Sequence, residues 1–287
     1  MRSALKKERF IKSNSRKYIV KKILGEGATG ITYLCYAEEN KHLNFAVKEL
    51  YPRELECELF RDDDGCINYS VLKDLKTKSK FEWYKDNFKN EFNVTATIST
   101  IRQKENNDPY FLNPVEIFEY NNTLYSVLET KEGLTLLDYL NQFNCQEHLS
   151  TEDYRNHIVE LLEILIIATK KLEFIHKQYL HLDITPHNIY LINSGSGFLN
   201  DSNGVPFFLD FGSASPLEDT HEHRFSVSDG FSAPEVILKS KGGGEGYFIN
   251  QTADIYSLVA ILYYGVTGQI LTYPLKSNAI LDKNLIL

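Results

Sequence analysis

Gly25-Glu26-Gly27-Ala28-Thr29-Gly30 is a GxGxxG segment, and the residues after it constrain the fold more than any other feature. Bare backbone approaches a phosphate closely, and the N–H groups of a turn supply donors. A dinucleotide-binding version of this segment needs a helix directly after the glycines. Here Ile31-Thr32-Tyr33-Leu34-Cys35-Tyr36 follows, a run of β-formers. The segment therefore reads as a turn joining two antiparallel strands, a flap over a ligand. By itself it reads equally well as an ordinary hairpin turn.

The surrounding pattern divides the chain in two. Tyr18 to Leu24, Ile31 to Tyr36 and Phe45 to Leu50 are β-rich. A mixed-charge stretch from Tyr51 to Lys80 carries a turn signal at Asp62-Asp63-Asp64-Gly65. From Phe81 the period changes: Phe81, Tyr84, Phe88, Phe92, Thr95, Ile98 and Ile101 recur at helical spacing. Phe118 to Tyr120 and Leu124 to Leu128 flank Asn121-Asn122 and predict a hairpin. The second half is helical. Ser150 or Thr151 caps a helix whose apolar stripe runs Ile158, Leu161, Leu162, Leu165, Ala168, Leu172, Ile175. Two short strands follow, near Ile189 to Ile192 and Phe207 to Leu209. Asp254 to Val266 is apolar nearly all round and predicts a buried helix.

Composition removes other classes. The 287 residues are 43% hydrophobic and 24% charged, which excludes a disordered or fibrous chain. A net charge of −8 argues against a general binder of nucleic acid or anionic membranes. Cys35, Cys57, Cys66 and Cys145 form no CxxC pair and read as reduced thiols of a cytoplasmic protein. The N-terminus has no apolar signal core, and the run from Leu258 to Val266 is too short to span a bilayer. Residues 1–16 read as a solvated basic lead-in, with a docking tail as the alternative.

Further candidates lie in order along the chain. Ala46-Val47-Lys48 puts a lysine on the third strand, within reach of nucleotide phosphates. Glu91 falls on the inward face of the first helix, between Phe88 and Phe92, where a carboxylate is costly without a cation. Lys48 is its natural partner. His181-Leu182-Asp183-Ile184-Thr185-Pro186-His187-Asn188 sets an Asp and an Asn five apart in a loop after the long helix. Asp210-Phe211-Gly212 follows the last short strand, and Ala233-Pro234-Glu235 comes later.

This ordered set resembles the protein kinase family over about Lys17 to Gly268, and is most similar to its bacterial serine/threonine members. In those, the strand lysine opens a K-E-aromatic-P segment followed by an insert, and Lys48-Glu49-Leu50-Tyr51-Pro52 with the stretch to Lys80 fits. The resemblance implies an α+β, two-lobe fold: a small antiparallel β-rich lobe over 17–128 with one major helix and an insert over 51–80, a hinge at 129–131, a larger helical lobe over 132–287, and a nucleotide cleft between them. It implies ATP and Mg²⁺ as cofactors and a protein Ser/Thr as acceptor. Gly25, Gly27 and Gly30 would cover the phosphates. Lys48 would hold them and pair with Glu91. Ala46, Leu128, Glu129 and Lys131 would line the adenine site. Asp183 would orient or deprotonate the acceptor hydroxyl, and Asn188 and Asp210 would bind Mg²⁺. Ser228 stands where Ser/Thr-directed members carry a hydroxyl, Asp254 would buttress the catalytic loop, and His181 and Phe211 would stack behind the site.

The sequence also departs from the family. Leu182 replaces the Arg beside the catalytic Asp, Thr185 replaces a Lys, and Thr29 replaces the aromatic tip of the glycine turn. Only 52 residues follow Glu235 and no Arg follows Arg224. Glu235 is therefore expected to be buried without its usual cation, and the helical lobe to need a partner or second copy as cover. Leu271, Leu275, Ile280, Leu281, Leu285, Ile286 and Leu287 are candidates for a partial cover. A pseudokinase or nucleotide-binding scaffold, and a small-molecule kinase, are the alternatives. His221-Glu222-His223 and Asp62 to Asp64 lack the spacing of metal sites.

Overall fold

Alternating burial from Lys17 to Leu50 follows the two-residue period of strands packed on one face. The computed structural model describes residues 2–69, 75–106, 113–144, 150–192, 204–217, 226–243 and 248–272. The chain forms two units. The first takes Met1–Gly133, Ile192–Ser196 and Asp210–Ala214, and the second takes Leu134–Leu191, Gly197–Leu209 and Ser215–Leu287.

The first unit is built on an antiparallel sheet: β1 (Phe10–Lys12), β2 (Lys17–Glu26), β3 (Gly30–Ala37), β4 (Asn40–Leu50), β7 (Pro114–Tyr120) and β8 (Thr123–Glu129), in the order β1-β2-β3-β4-β8-β7. A separate hairpin pairs β5 (Leu59–Arg61) with β6 (Ile67–Tyr69) around the Asp62–Gly65 turn. At the β7–β8 turn, Asn121 and Asn122 both take positive φ, 52° and 60°, which suits a tight hairpin and the residue type. Helix α1 (Leu75–Asn106) buries Phe81, Phe88, Val94, Thr95 and Ile98. It begins inside the stretch expected to be an insert, so residues 75–80 are helical.

The lead-in is solvated only in part. Arg2, Leu5 and Ile11 are buried, the Leu5 N–H donates to the Tyr33 hydroxyl at 3.0 Å, and Phe10–Lys12 form β1 on the sheet edge. The basic residues of this stretch flank apolar ones that reach the core, and the charge count conceals them.

The second unit carries α2 (Leu136–Asn144), α3 (Thr151–Ile175), α4 (Pro234–Ser240) and α5 (Gln251–Thr267). Its strands are short. β9 (Gly133–Thr135), β11 (Ile189–Ile192) and β12 (Val205–Phe208) order as β12-β11-β9, and β10 (Tyr179–Leu180) pairs with β13 (Ser215–Pro216). Ser150 caps α3 by accepting from the Asp153 N–H at 3.1 Å. The buried stripe of α3 runs through His157, Leu161, Ile164, Leu165, Ala168, Leu172 and Ile175. Leu162, expected inside, is exposed. Helix α5 meets α3 at Gly265, where a Cβ would stand 2.3 Å from Leu161 Cδ2. Its opposite face is not buried: Ile255, Val259 and Tyr263 are exposed. Glu235, expected to be buried, is only half-buried in the first turn of α4 among the described residues. His221 to His223, Arg224, Cys145 and Leu275 to Leu287 lie outside the described residues.

His157 gives the second unit a pH dependence. Its Nε2 bonds the Gly265 carbonyl at 3.2 Å and its ring stacks on Phe143 at 3.9 Å. Nδ1 is buried with no hydrogen-bond partner among the described residues. Burial pushes the imidazole below its ordinary value of 6.5, against the Gly265 bond and the Glu160 charge. Below that ordinary value the unfolded chain binds more protons than the folded one, so stability falls as pH drops and is whole above it. Melting temperatures at pH 7.5 and 5.5 are expected to differ more for the wild type than for His157→Phe. Equal pH slopes would assign the effect elsewhere.

Candidate active site

The glycine segment closes the β2–β3 hairpin, as the β-formers after it require. The Gly27 N–H donates to the Gly30 carbonyl at 2.9 Å, and Gly25 and Glu26 pair with Thr32 and Ile31. Gly30 is fixed by close approach: a Cβ there would stand 2.0 Å from the Glu49 carbonyl oxygen, a backbone atom that cannot swing aside. Gly30→Ala is therefore expected to force β3 and β4 apart beside Lys48, with a loss of about 1–3 kcal/mol or more. Urea unfolding checks this; an unchanged midpoint would refute it.

β4 sorts its residues by face. Phe45, Val47 and Glu49 are buried on one side, and Ala46 and Lys48 are half-buried on the other. Ala46 pairs across the sheet with Leu128 of β8, and Glu129 ends that strand, its N–H donating to the Asn113 carbonyl at 3.0 Å. Thr130 N–H donates to the Asn44 carbonyl, so the stretch holding Lys131 leaves the sheet tied to it.

Lys48 Nζ lies 2.7 Å from Glu91 Oε1 on α1 and 3.6 Å from Asp210 Oδ2. Phe88 stands one turn before Glu91, its ring 5.9 Å from the ammonium. Burial works against the Lys48 charge, but Asp210 and Glu91 outweigh it and hold the ammonium above its ordinary value. Burial pushes Glu91 up, to about 7, against the pull of Lys48 and with the Asp210 charge adding to the rise. Two carboxylates on one buried lysine leave the cluster short of positive charge. Asp210 takes a positive φ of 59°, and its Oδ1 accepts the Gly212 N–H at 3.2 Å. A Cβ at Gly212 would stand 3.0 Å from that same oxygen and 3.6 Å from Glu91 Oε2. The acid of α1 and the Asp-Phe-Gly turn are thus packed together within the first unit.

The second unit holds its own constellation. Asp183 Oδ1 accepts the Ser228 hydroxyl at 2.8 Å, and Asn188 Nδ2 donates to the Asp183 carbonyl at 2.9 Å. The loop that carries them is held from below. Asp254, fully buried, accepts the N–H groups of His181 at 2.7 Å and Leu182 at 2.8 Å, and His176 Nε2 at 2.8 Å. Leu182 sits at φ 60°, costly for a side chain of its size, and the Asp254 bond holds it there. His181 Nδ1 accepts the Asp183 N–H at 3.3 Å while Nε2 donates to the Leu209 carbonyl at 3.1 Å. Its ring lies 5.6 Å from Phe208, and Phe211 is buried.

Among the described residues, no group of three or more His, Cys, Asp or Glu side chains is placed to hold a metal, and no helix is long and apolar enough to cross a membrane. Three features escaped the sequence reading: the burial of Arg2, the His176–Asp254 contact, and a Glu49–Arg61 pair at 2.5 Å behind β4. The last had a signal, since Glu49 follows Lys48 on a strand and must face the opposite way.

Comparison with known proteins gives four matches. The family model described as the protein kinase domain matches residues 57–286. The mitosis inhibitor protein kinase SWE1 of Candida albicans is 30% identical over 166 residues, 57% of this chain and 12% of that protein. The serine/threonine-protein kinase cds1 of Schizosaccharomyces pombe is 28% identical over 223 residues, 72% of this chain and 44% of that protein. The chain thus spans less than half the length of either relative. The solved structure described as the PpkA-294 apo form is similar over 93% of this chain and 80% of that one, with a TM-score of 0.65 at 21% identity.

Proposed function

We propose, since the chain belongs to the protein kinase family, that it transfers the γ-phosphate of ATP to a Ser or Thr hydroxyl of a protein. The observation that carries the reading is the Lys48–Glu91–Asp210 cluster. A lysine held charged by two carboxylates is a fixed point charge for nucleotide phosphates.

Gly25 has nothing within 4 Å of where a Cβ would stand, and Gly27 meets only the Gly30 oxygen at 3.9 Å. That bare backbone fits phosphate oxygens. Ala46, Leu128, Glu129 and Lys131 are assigned to the adenine side, and the pairing of Ala46 with Leu128 beside Glu129 supports this. Each residue brings an oxygen of the kind that hard cations take: the Asp210 carboxylate is 43% exposed beside Lys48, and Asn188 carries an amide oxygen. Asp210 and Asn188 would hold Mg²⁺, which when bound neutralises charge on the phosphate oxygens.

Asp183 takes the acceptor's proton. Ser228 holds the Asp183 carboxylate by donating to Oδ1, and the Asp254 bonds fix the loop backbone. Positioning and charge neutralisation supply most of such catalysis. Leu182 leaves no arginine beside Asp183 for a phosphorylated segment to neutralise.

The test is transfer from γ-labelled ATP with Mg²⁺ to a mixed protein acceptor, followed by phosphoamino-acid analysis. Label on Ser and Thr is expected. ATP binding without transfer would make the chain a nucleotide-binding scaffold, and transfer only to small acceptors would make it a small-molecule kinase. Asp210→Ala is expected to abolish the Mg²⁺ dependence of ATP binding; equal Mg²⁺ dependence in this variant would overturn the metal assignment.

A further inference from the structure

The glycine turn is expected to be a flap, yet its backbone is tied down on every side. The Ala28 carbonyl accepts the Arg53 N–H at 2.8 Å and the Thr29 carbonyl accepts the Tyr51 N–H at 3.0 Å. The Glu26 carbonyl accepts Arg53 Nη2 at 3.4 Å. Arg2 closes the arrangement. Its Nη1 donates to the Tyr51 carbonyl at 2.6 Å and lies 3.5 Å from the Gly30 carbonyl, while Nη2 lies 3.6 Å from Glu26 Oε2. The Arg2 side chain is 2% exposed. One buried guanidinium therefore touches the entry of the turn at Glu26, its exit at Gly30, and the segment that holds its tip.

We propose that Arg2, acting with Tyr51 to Arg53, latches the glycine turn into a fixed cradle, and that Arg2 is a positioning residue for the nucleotide. The positioning role rests on the kinase reading; the latch does not. Charged donors make the stronger hydrogen bonds, and the two nitrogens of the fork let Nη1 face the Tyr51 and Gly30 carbonyls while Nη2 faces the Glu26 carboxylate, a reach that a lysine lacks. With the carbonyls of Glu26, Ala28, Thr29 and Gly30 engaged inside the protein, the turn offers a ligand those of its N–H groups that the Gly27 bond to Gly30 does not use, and such groups hold anions. A preordered cradle spares the ordering that a mobile flap must undergo on binding. Arg2 lies 28 residues upstream of Gly30, so neither the GxGxxG pattern nor the strand periodicity signals it.

Hydrogen exchange on the full chain tests the latch without any ligand. In Arg2→Ala the Tyr51 and Arg53 amides, whose acceptors are the turn carbonyls, are expected to lose about tenfold in protection. Amides of the Phe118–Tyr125 pair on β7 and β8 are expected to keep theirs. Unchanged protection at Tyr51 and Arg53 would overturn the latch. Equal loss across the sheet would make Arg2 a general structural residue and overturn it as well. The second measurement is the Kd for ATP, expected to rise about tenfold in Arg2→Ala and about threefold in Arg2→Lys, which keeps the charge and loses the fork. A loosened turn with unchanged ATP affinity would overturn the positioning role. A wild-type chain that binds no ATP would overturn the kinase reading and that role with it, while the exchange comparison still decides the latch. Arg2→Lys answers the exchange question should Arg2→Ala fail to fold.

Discussion

Asp183→Asn is expected to slow phosphoryl transfer by about 10²–10⁴, the range a general base contributes, while ATP affinity stays within about twofold. The loop makes this a clean substitution. An asparagine oxygen still accepts the Ser228 hydroxyl, now 2.8 Å from Asp183 Oδ1, and the loop backbone keeps its own anchors. Those anchors are the Asp254 bonds to the His181 and Leu182 N–H groups and the Asn188 bond to the Asp183 carbonyl. What the variant loses is the negative charge and the capacity to take a proton. Initial rates with saturating ATP, beside direct ATP binding, separate the two effects. A variant that keeps more than about a tenth of the wild-type rate would remove Asp183 from the base role and leave it an orienting group.

The site was more legible than the scaffold behind it, and the reason is range. The Lys48–Glu91 pairing followed from a helical stripe that placed a carboxylate between Phe88 and Phe92, because a buried charge demands a partner. The β2–β3 turn followed from the β-formers after Gly30, and the β7–β8 turn from two adjacent asparagines able to adopt positive φ. Each is a local signal. The lead-in failed as a fully solvated tail because Leu5 meets residues as distant as Tyr33 and Gly65 and Ile11 joins β1 on the sheet, and their isolation among charged residues does not mark them as buried. Leu162 and Val259 failed for the opposite reason. They sit on helices rich in apolar residues, where periodicity does not say which flank meets a neighbour. Glu235 was expected inside by its place in a motif, and helix α4 leaves it half in water.

The largest stability effect is expected behind β4, at a pair that takes no part in the chemistry. Arg61→Ala should cost about 3–5 kcal/mol, because it strands the Glu49 carboxylate in the core. Glu49 is fully buried, and Arg61 meets it with two nitrogens, Nη1 at 3.0 Å and Nη2 at 2.5 Å. Tyr33 donates to Oε2 at 2.9 Å and Tyr125 donates to Oε1. Two further donors of Arg61 go to the Ser3 and Gly65 carbonyls, both at 2.7 Å, so the pair also ties Ser3 and the β5–β6 hairpin to the sheet. Burial alone would lower the Arg61 charge, but Glu49 outweighs it and holds the guanidinium above its ordinary value. Two hydroxyls donating to Glu49 cannot replace a cation, since they leave the net charge in a low-dielectric interior. Removing both charges together is a different case. Glu49→Met with Arg61→Met keeps the volume and deletes the desolvation penalty of each ion, so the double variant should recover much of what Arg61→Ala loses. Urea unfolding of the wild type, Arg61→Ala and the double variant checks this. A loss below about 1 kcal/mol for Arg61→Ala would mean that water or a local shift solvates Glu49, and that the strand carrying Lys48 is held by its sheet partners alone.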